Sequence, residues 1–363
     1  MQAESPRLPH LHLIPDMGFA DPFALRLKQL GLESRNHIIL VGKSPNKVKA
    51  KLPFPYSTLK DDNTPDPSDY DKVFIHFLLP MATHWLKKYP TVRFHWVFYG
   101  AEVYRNPLVG YNPYAPLTRK YLNGSFLNWM RIVGYHVLHR RAWKKALPKV
   151  ASVLVHNPLE FDLIQKLVPI PQARHEPFTY GKAQLDSGSS KRSGPVQSGN
   201  SYKVQVGHCA FPSCNQLDFL SDAPASQQIE WHLPLSYGDE NYAQWLQKKL
   251  SKREDVYFMV DLLPIEDYLQ HIESLDAGVF PNIRQQGGAN IQTFLLRGVP
   301  VFLHPDNPSF RYFMSKGVEL GRTDRFSISE IDRLTGLADE NRQAFIKDSG
   351  SDVCNERFAR VFA

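Results

Sequence analysis

Short apolar runs rich in β-branched and aromatic residues recur along the first half of the chain, at His10–Ile14, His37–Val41, Lys72–Phe77, Val92–Phe98 and Ala151–His156. Each is bounded by polar, Gly or Pro residues and has the length of a strand. Between them, Phe23–Leu30, Met81–Lys88 and Pro158–Leu167 carry apolar residues at helical spacing. Alternation of this kind predicts a parallel sheet covered on both faces. From Gly181 to Asn200 the chain turns to Gly, Ser and Lys with almost no large apolar residue, which predicts an interdomain connection or a disordered loop. The alternation then resumes. Strands are expected at Tyr202–Gly207, Gln228–Leu235, Val256–Val260, Ala277–Phe280 and Val299–Leu303. Helices are expected at Asn215–Phe219, Asn241–Ser251, Ile265–Ser274, Asn290–Arg297 and Phe310–Lys316, and the tail Ile328–Phe362 reads as helical. The expected fold is α/β: two doubly wound, Rossmann-like domains over residues 1–180 and 201–330, joined by 181–200 and followed by a helical tail, 331–363. Open parallel sheets bind ligands beyond the carboxyl ends of their strands, so two such sheets facing across a cleft would share one site.

A chain of 363 residues is long enough for two cores. Its 42% hydrophobic and 22% charged content is that of an ordinary globular protein. No run approaches the roughly 18 apolar residues of a spanning helix. Met1–His10 lacks the apolar run of a secretory signal, so the expected compartment is the cytoplasm. The Cys count is three, Cys209, Cys214 and Cys354, and an odd count speaks against a disulfide framework. Cys209 and Cys214 lie close in sequence with no matching second pair, so a zinc site is not expected and free thiols are.

The net charge of +7 changes the picture through its distribution. Arg119, Lys120, Arg131, Arg140, Arg141, Lys144, Lys145 and Lys149 fall in one stretch without Asp or Glu. Phe126, Leu127, Trp129, Ile132, Tyr135, Leu138 and Trp143 are interleaved with them. The pattern reads as one long basic amphipathic helix, or two broken at Gly134. It suits the interface of an anionic membrane, and it also suits a solvated domain surface. Neither half carries GxGxxG after its first strand, which disfavours a dinucleotide dehydrogenase, and no phosphate-binding P-loop is present. Nucleic acid is suggested by charge alone and by no motif.

Candidate chemistry concentrates in "AGVFPNIRQQGGANIQTFLLRGVPVFLHP", Ala277–Pro305. Gly287 and Gly288 let backbone approach a ligand without an intervening Cβ. The helix that follows offers unpaired N–H groups and a partial positive charge, which suit a diphosphate. Arg284 can add a charge-assisted contact, and Gln285 and Gln286 can bind sugar or ribose hydroxyls. A plain strand–loop–helix turn fits the same residues. Asp306 falls just past a strand end, where a carboxylate can meet a hydroxyl; Asp306 or Asn307 can equally cap a helix starting at Pro308. In "FHWVFYGAEVY", Glu102 follows an apolar strand and is placed as a general base for an acceptor hydroxyl, with burial against Tyr99 and Tyr104 tuning it. An ordinary loop Glu fits too. His76, near another strand end, is the second base candidate.

Several segments together resemble the N-acetylfucosaminyltransferase family of enterobacterial common antigen synthesis. The matching pieces are "FHWVFYGAEVY", "VGHCAFPSCNQ", "HLPLSYGDENY", "RQQGGANIQTFLLRGVPVFL" and "DNPSF", in the same order from about residue 70 to 315. The family moves a 4-acetamido-4,6-dideoxygalactose from a TDP donor to a lipid-linked disaccharide. The resemblance implies a GT-B fold, a nucleotide-diphospho-sugar donor (TDP- or UDP-linked), and neither metal nor other cofactor. It puts Gly207, His208 and Asn215 beside the donor phosphate and makes Leu235, Ser236 and Tyr237 the nucleoside wall. It gives Arg284 through Asn290, including Gln285, Gln286, Gly287 and Gly288, the diphosphate and sugar. It sets Glu102 across the cleft as the acidic residue. The segment Gly181–Asn200, the "GGAN" tetrad and the Pro-rich run Asn63–Ser68 depart from the family and put the donor sugar in question.

The expected activity is therefore transfer of a sugar from a nucleotide-diphospho-sugar to a hydroxyl of a bacterial surface glycan. The acceptor would be polyprenyl-diphosphate-linked, and the enzyme cytoplasmic and peripheral at an anionic inner membrane, without nucleic acid as a partner. Two alternatives fit the same sequence: a GT-B sugar-nucleotide epimerase, and a non-catalytic sugar-nucleotide or glycan binding protein.

Overall fold

A computed structural model describes residues 8–16, 20–41, 52–53, 57–58, 65–124, 126–179, 201–223 and 228–363. The proposed connection 181–200, residues 63–64 of the Pro-rich run, and the side chains of 126–129 lie outside the described residues. The chain divides into two compact units. Unit 1 takes Met1–Tyr111, Met130–Lys182 and Asp352–Ala363; unit 2 takes Asn112–Trp129 and Ala183–Ser351.

In unit 1 the strands are β1 (Leu8–Pro15), β2 (Asn36–Val41), β3 (Ser57–Thr58), β4 (Tyr70–His76), β5 (Phe94–Val97), β6 (Val150–Val155) and β7 (Arg174–Pro177). They form one sheet in the order β3-β2-β1-β4-β5-β6-β7, every pair parallel. Period-2 alternation sends Leu11, Leu13, Ile39, Val73 and Ile75 to one core. The neighbouring Ile14, Ile38, Leu40 and Phe74 go to the other face. That second face is closed by the last helix, Ser351–Phe362, through Phe358, Val361 and Phe362.

Unit 2 holds β8 (Tyr202–Val206), β9 (Ile229–Pro234), β10 (Val256–Met259), β11 (Ala277–Phe280), β12 (Val301–Leu303) and β13 (Gly321–Arg322). Their order is β10-β9-β8-β11-β12-β13, again all parallel. The doubly wound expectation therefore holds for each unit. The chain reverses its winding direction at β1/β4 in unit 1 and at β8/β11 in unit 2, and such switch points open a crevice at the carboxyl edge of the sheet.

Several details differ from the sequence reading. β3, β7 and β13 were not expected; they are two to four residues long, and Arg174–Pro177 has no apolar alternation to find. β12 starts at Val301 rather than Val299, because Pro300 has no N–H to donate. The basic stretch forms helices Pro116–Asn123 and Phe126–Ala146, so the first helix ends ahead of Gly124 and the second helix runs unbroken through Gly134. The tail is three helices, Ile328–Gly336, Ala338–Ser349 and Ser351–Phe362; the first two belong to unit 2, and Asp352–Ala363 of the third belongs to unit 1.

Candidate active site

At the switch point of unit 2, the loops after β8, β9 and β11 are tied together by backbone and amide hydrogen bonds. Gly207 follows β8 at φ +74° and donates its N–H to Val279 O at 2.8 Å. Ala210 N–H donates to Tyr237 O (2.8 Å), and Asp239 N–H donates to Ala210 O (3.0 Å). Gly238 is pressed so closely to this bridge that a Cβ there would lie 2.7 Å from the Ala210 carbonyl carbon.

Three asparagines staple the remaining loops. Asn215, in the left-handed region at φ 51°, donates from Nδ2 to Pro113 O (3.1 Å) and Pro281 O (3.2 Å). Its Oδ1 accepts from Ala115 N–H (2.9 Å). Asn282 Nδ2 donates to Ser213 O (2.9 Å), joining the loops after β8 and β11. Asn307 Nδ2 donates to Asn282 O and Arg284 O, each at 2.9 Å, while its Oδ1 accepts from Ser309 N–H. All three side chains are buried, so these are bonds made away from water and costly to lose.

This scaffold positions the helix Gly288–Leu296. Its N-cap, Gly287, is left-handed at φ 69°, and a Cβ there would meet His208 Nδ1 at 2.7 Å. Gly288 has open space on its Cβ side. The first helical bond runs from Ile291 N–H to Gly287 O (3.0 Å), so the amides of Gly288, Ala289 and Asn290 precede it. Tyr268 Oη donates to Asn290 Oδ1 at 2.5 Å, and burial pushes the Tyr268 phenol up to about 12. Arg284 is buried in the loop and donates from Nη1 to Gln285 O (3.0 Å). The arrangement offers a glycine-lined helix N-terminus and a guanidinium on one sheet edge, which suits a diphosphate.

The structure thus brings Gly207, His208, Ser236, Tyr237 and Arg284 through Asn290 to one edge of one sheet. Their roles differ in detail. Tyr237 is 47% exposed with its hydroxyl hydrogen-bonded to Cys209, whereas Leu235 is packed in the unit 2 core. Gln286 faces the protein, its Oε1 accepting from Ser213 Oγ at 2.6 Å. Asn215 uses its side chain on Pro113, Pro281 and Ala115. Asp306 is exposed past β12, and Asn307 is the helix cap. The sequence reading missed the apolar loop after β10, where Val260 is 50% and Leu262 76% exposed on the same edge. The rule that ligands gather at strand ends would have found it.

In unit 1, Glu102 lies in the short helix Ala101–Tyr104 that follows Gly100. It is buried, and its Oε1 accepts from Trp96 Nε1–H (3.1 Å) and Tyr99 N–H (3.2 Å). Tyr104 instead donates to Glu160 Oε1. His76 is 1% exposed, inside the core. Its Nε2 lies 3.0 Å from His12 Nδ1, and His12 Nε2 is 2.8 Å from Asn36 Oδ1. Burial holds His76 well below the usual imidazole range, with His12 adding to the effect. Reaching a ligand from His76 would require the end of β4 to open.

No protein-family model and no curated protein sequence matches the chain. Solved structures do, along nearly its whole length. The chain is similar to Anabaena HepE in complex with UDP-glucose at 12% identity, with a TM-score of 0.59 and coverage of 97% of this chain and 98% of that one. It is similar to sucrose-phosphate synthase from Thermosynechococcus elongatus at 12% identity, TM-score 0.55, covering 98% and 95%. It is also similar to α,α-trehalose 6-phosphate synthase from Burkholderia multivorans at 9% identity, TM-score 0.56, covering 98% of each. With two doubly wound parallel sheets and these whole-length likenesses, the fold is that of the GT-B type.

Proposed function

We propose that the chain is a glycosyltransferase that takes a sugar from a nucleotide-diphospho-sugar and passes it to a hydroxyl of a glycan. The observation that carries this reading is the start of the helix Gly288–Leu296, open at Gly288 and set beside Arg284 at the switch point of unit 2. The diphosphate would rest on the amides of Gly288, Ala289 and Asn290. Charge gathering on the departing nucleoside diphosphate would be offset by the helix start and Arg284, a role that asks for no magnesium or manganese ion. Tyr237 would stack on the nucleoside. HepE, one of the similar structures, was determined with UDP-glucose, which is consistent with such a donor here. Glu102 would take the proton from the acceptor hydroxyl as the anomeric carbon becomes oxocarbenium-like.

The finer reading is a lipid-linked bacterial acceptor, as the resemblance to the N-acetylfucosaminyltransferase family implies. It is supported by the outward face of the helix Phe126–Ala146. Ala142 and Ala146 are buried, while Met130, Val137 and Leu138 are exposed among Arg131, Arg140, Arg141, Lys144 and Lys145. Apolar side chains left in water beside a basic row fit an anionic bilayer surface better than a solvated helix face.

A thermal-shift screen against TDP-, UDP- and GDP-sugars tests the donor class. A ligand at about a hundred times its Kd should stabilise the fold by roughly 2.7 kcal/mol. No shift with any nucleotide sugar would contradict the reading. Product analysis with donor alone separates transfer from epimerisation: an epimerised donor without acceptor would favour the latter.

A further inference from the structure

His208, Cys209 and Cys214 are brought together beneath the loop that carries the glycine pair. We propose that they form a binding site for a thiophilic divalent cation of the zinc class, which pins the fold of the loop after β8 beneath the loop after β11. All three residues are buried, and one ligand atom from each lies within 4.8 Å of the others. Cys209 Sγ is 3.6 Å from Cys214 Sγ, and Cys214 Sγ is 3.7 Å from His208 Nδ1. Zinc bonds of about 2.3 Å to sulfur and about 2.0–2.1 Å to nitrogen set a tetrahedral site's sulfurs about 3.8 Å apart and sulfur and nitrogen about 3.6 Å apart. Two edges of the cluster have those lengths, and the third, His208 to Cys209, is within 4.8 Å.

The surroundings are those of a ligand shell. Asn282 hydrogen-bonds Cys214. The Gln286 carboxamide nitrogen is 4.0 Å from both sulfurs, so a turn of that amide would present its oxygen as a fourth ligand. The Cys209 carbonyl accepts from Gln216 Nε2 at 2.7 Å, which fixes the backbone that carries the first thiol. Gly287 leaves room for the His208 ring, since a Cβ there would fall 2.7 Å from Nδ1. Donors to ligand sulfur and constraints on the ligating ring are what orient metal ligands. Uptake replaces the two thiol protons, which are released, and uses the neutral imidazole through Nδ1 with its proton on Nε2. The bound ion and two thiolates then leave the cluster without net charge, as burial requires. The Cys pair alone has no metal-site spacing; the histidine preceding Cys209 supplies the third ligand only because the loop folds back on itself.

The site borders the donor loop through His208 and Gln286, so metal uptake is read by a signal of its own, apart from nucleotide binding. The full chain, reduced and stripped with chelator, is titrated with cobalt(II). Expected are a saturable thiolate-to-cobalt charge-transfer band at about one ion per chain, its loss on adding zinc, and a rise in Tm with zinc. Cys209→Ser and Cys214→Ser should each lose the band, and Cys354→Ser should keep it. Absence of the band in the wild-type chain, or a band that survives both substitutions, would overturn the proposal. The wild-type titration decides the matter even where a variant does not fold. Nucleotide binding measured on the same stripped sample reports on the donor site independently.

Discussion

Adjacent glycines in the donor loop should respond to alanine in opposite ways. At Gly287 the backbone is left-handed, and an added Cβ meets the buried His208 ring at 2.7–3.0 Å. The left-handed conformation alone costs an L-residue about 1–2 kcal/mol. In a domain of this size that lowers Tm by roughly 2–8 °C, and the contact with His208 adds to it. At Gly288 the space is open and the residue is helical, so alanine leaves Tm unchanged or raises it, because alanine is the better helix former. The methyl at 288 nevertheless stands where a diphosphate would approach the helix start. Losing one charged hydrogen bond costs roughly 1.5–3 kcal/mol, or about 10- to 150-fold in Kd. Scanning fluorimetry of both variants and calorimetry with UDP and TDP separate the effects. Gly288→Ala with intact stability and unaltered nucleotide affinity would refute the placement of the diphosphate. Gly287→Ala with wild-type Tm would show that the loop is not held by His208.

Other outcomes follow from the same geometry. Glu102→Gln keeps an oxygen for Trp96 and Tyr99 but cannot accept a proton, so turnover should drop roughly 10²–10⁴-fold with nucleotide affinity unchanged; wild-type turnover would remove Glu102 from the role of base. Reversing Arg140, Arg141, Lys144 and Lys145 to Glu should abolish binding to anionic vesicles, and wild-type binding should weaken as salt rises; equal binding by the variant would leave the helix a structural element only. Unit 1 should lose stability in acid. Burial lowers His12 to about 3, so the native ring stays neutral while the unfolded ring takes up a proton below about 6.5. Stability is therefore full above pH 6.5 and falls as pH drops toward the folded value. Between pH 7.5 and 5.5 His12 alone removes about 1.4 kcal/mol, with His76 and His95 acting in the same direction. A urea midpoint constant across that range would contradict this.

The two sheets were legible because their central strands alternate cleanly. In His10–Ile14 and His37–Val41, successive residues enter opposite cores, and that period-2 pattern survives without any tertiary information. The edges were not legible, because Ser57–Thr58 and Gly321–Arg322 are strands only through pairing with a neighbour. The glycine pair marked the donor loop, since only a close approach or a left-handed backbone explains it. The sequence did not reveal what Asn215 and Gln286 do: an amide beside a loop reads as a ligand contact, and only coordinates show it bonded to Pro113, Pro281 or Ser213 instead. Nor could spacing alone show that His208 meets Cys214, because their contact depends on the left-handed turn at Asn215 and the bridge to Gly238.

The central claim is that unit 2 binds a nucleoside diphosphate at the start of the helix Gly288–Leu296 with the help of Arg284. Titration calorimetry with TDP and UDP on the wild-type chain and on Arg284→Ala tests it most directly. The account predicts saturable binding of at least one of the two nucleotides. It predicts an affinity loss in the variant of roughly 1.5–3 kcal/mol, the value of a charged hydrogen bond, measured at a temperature where the variant, with its buried side chain truncated, is still folded. No heat with either nucleotide, or equal affinity in wild type and variant, would contradict it.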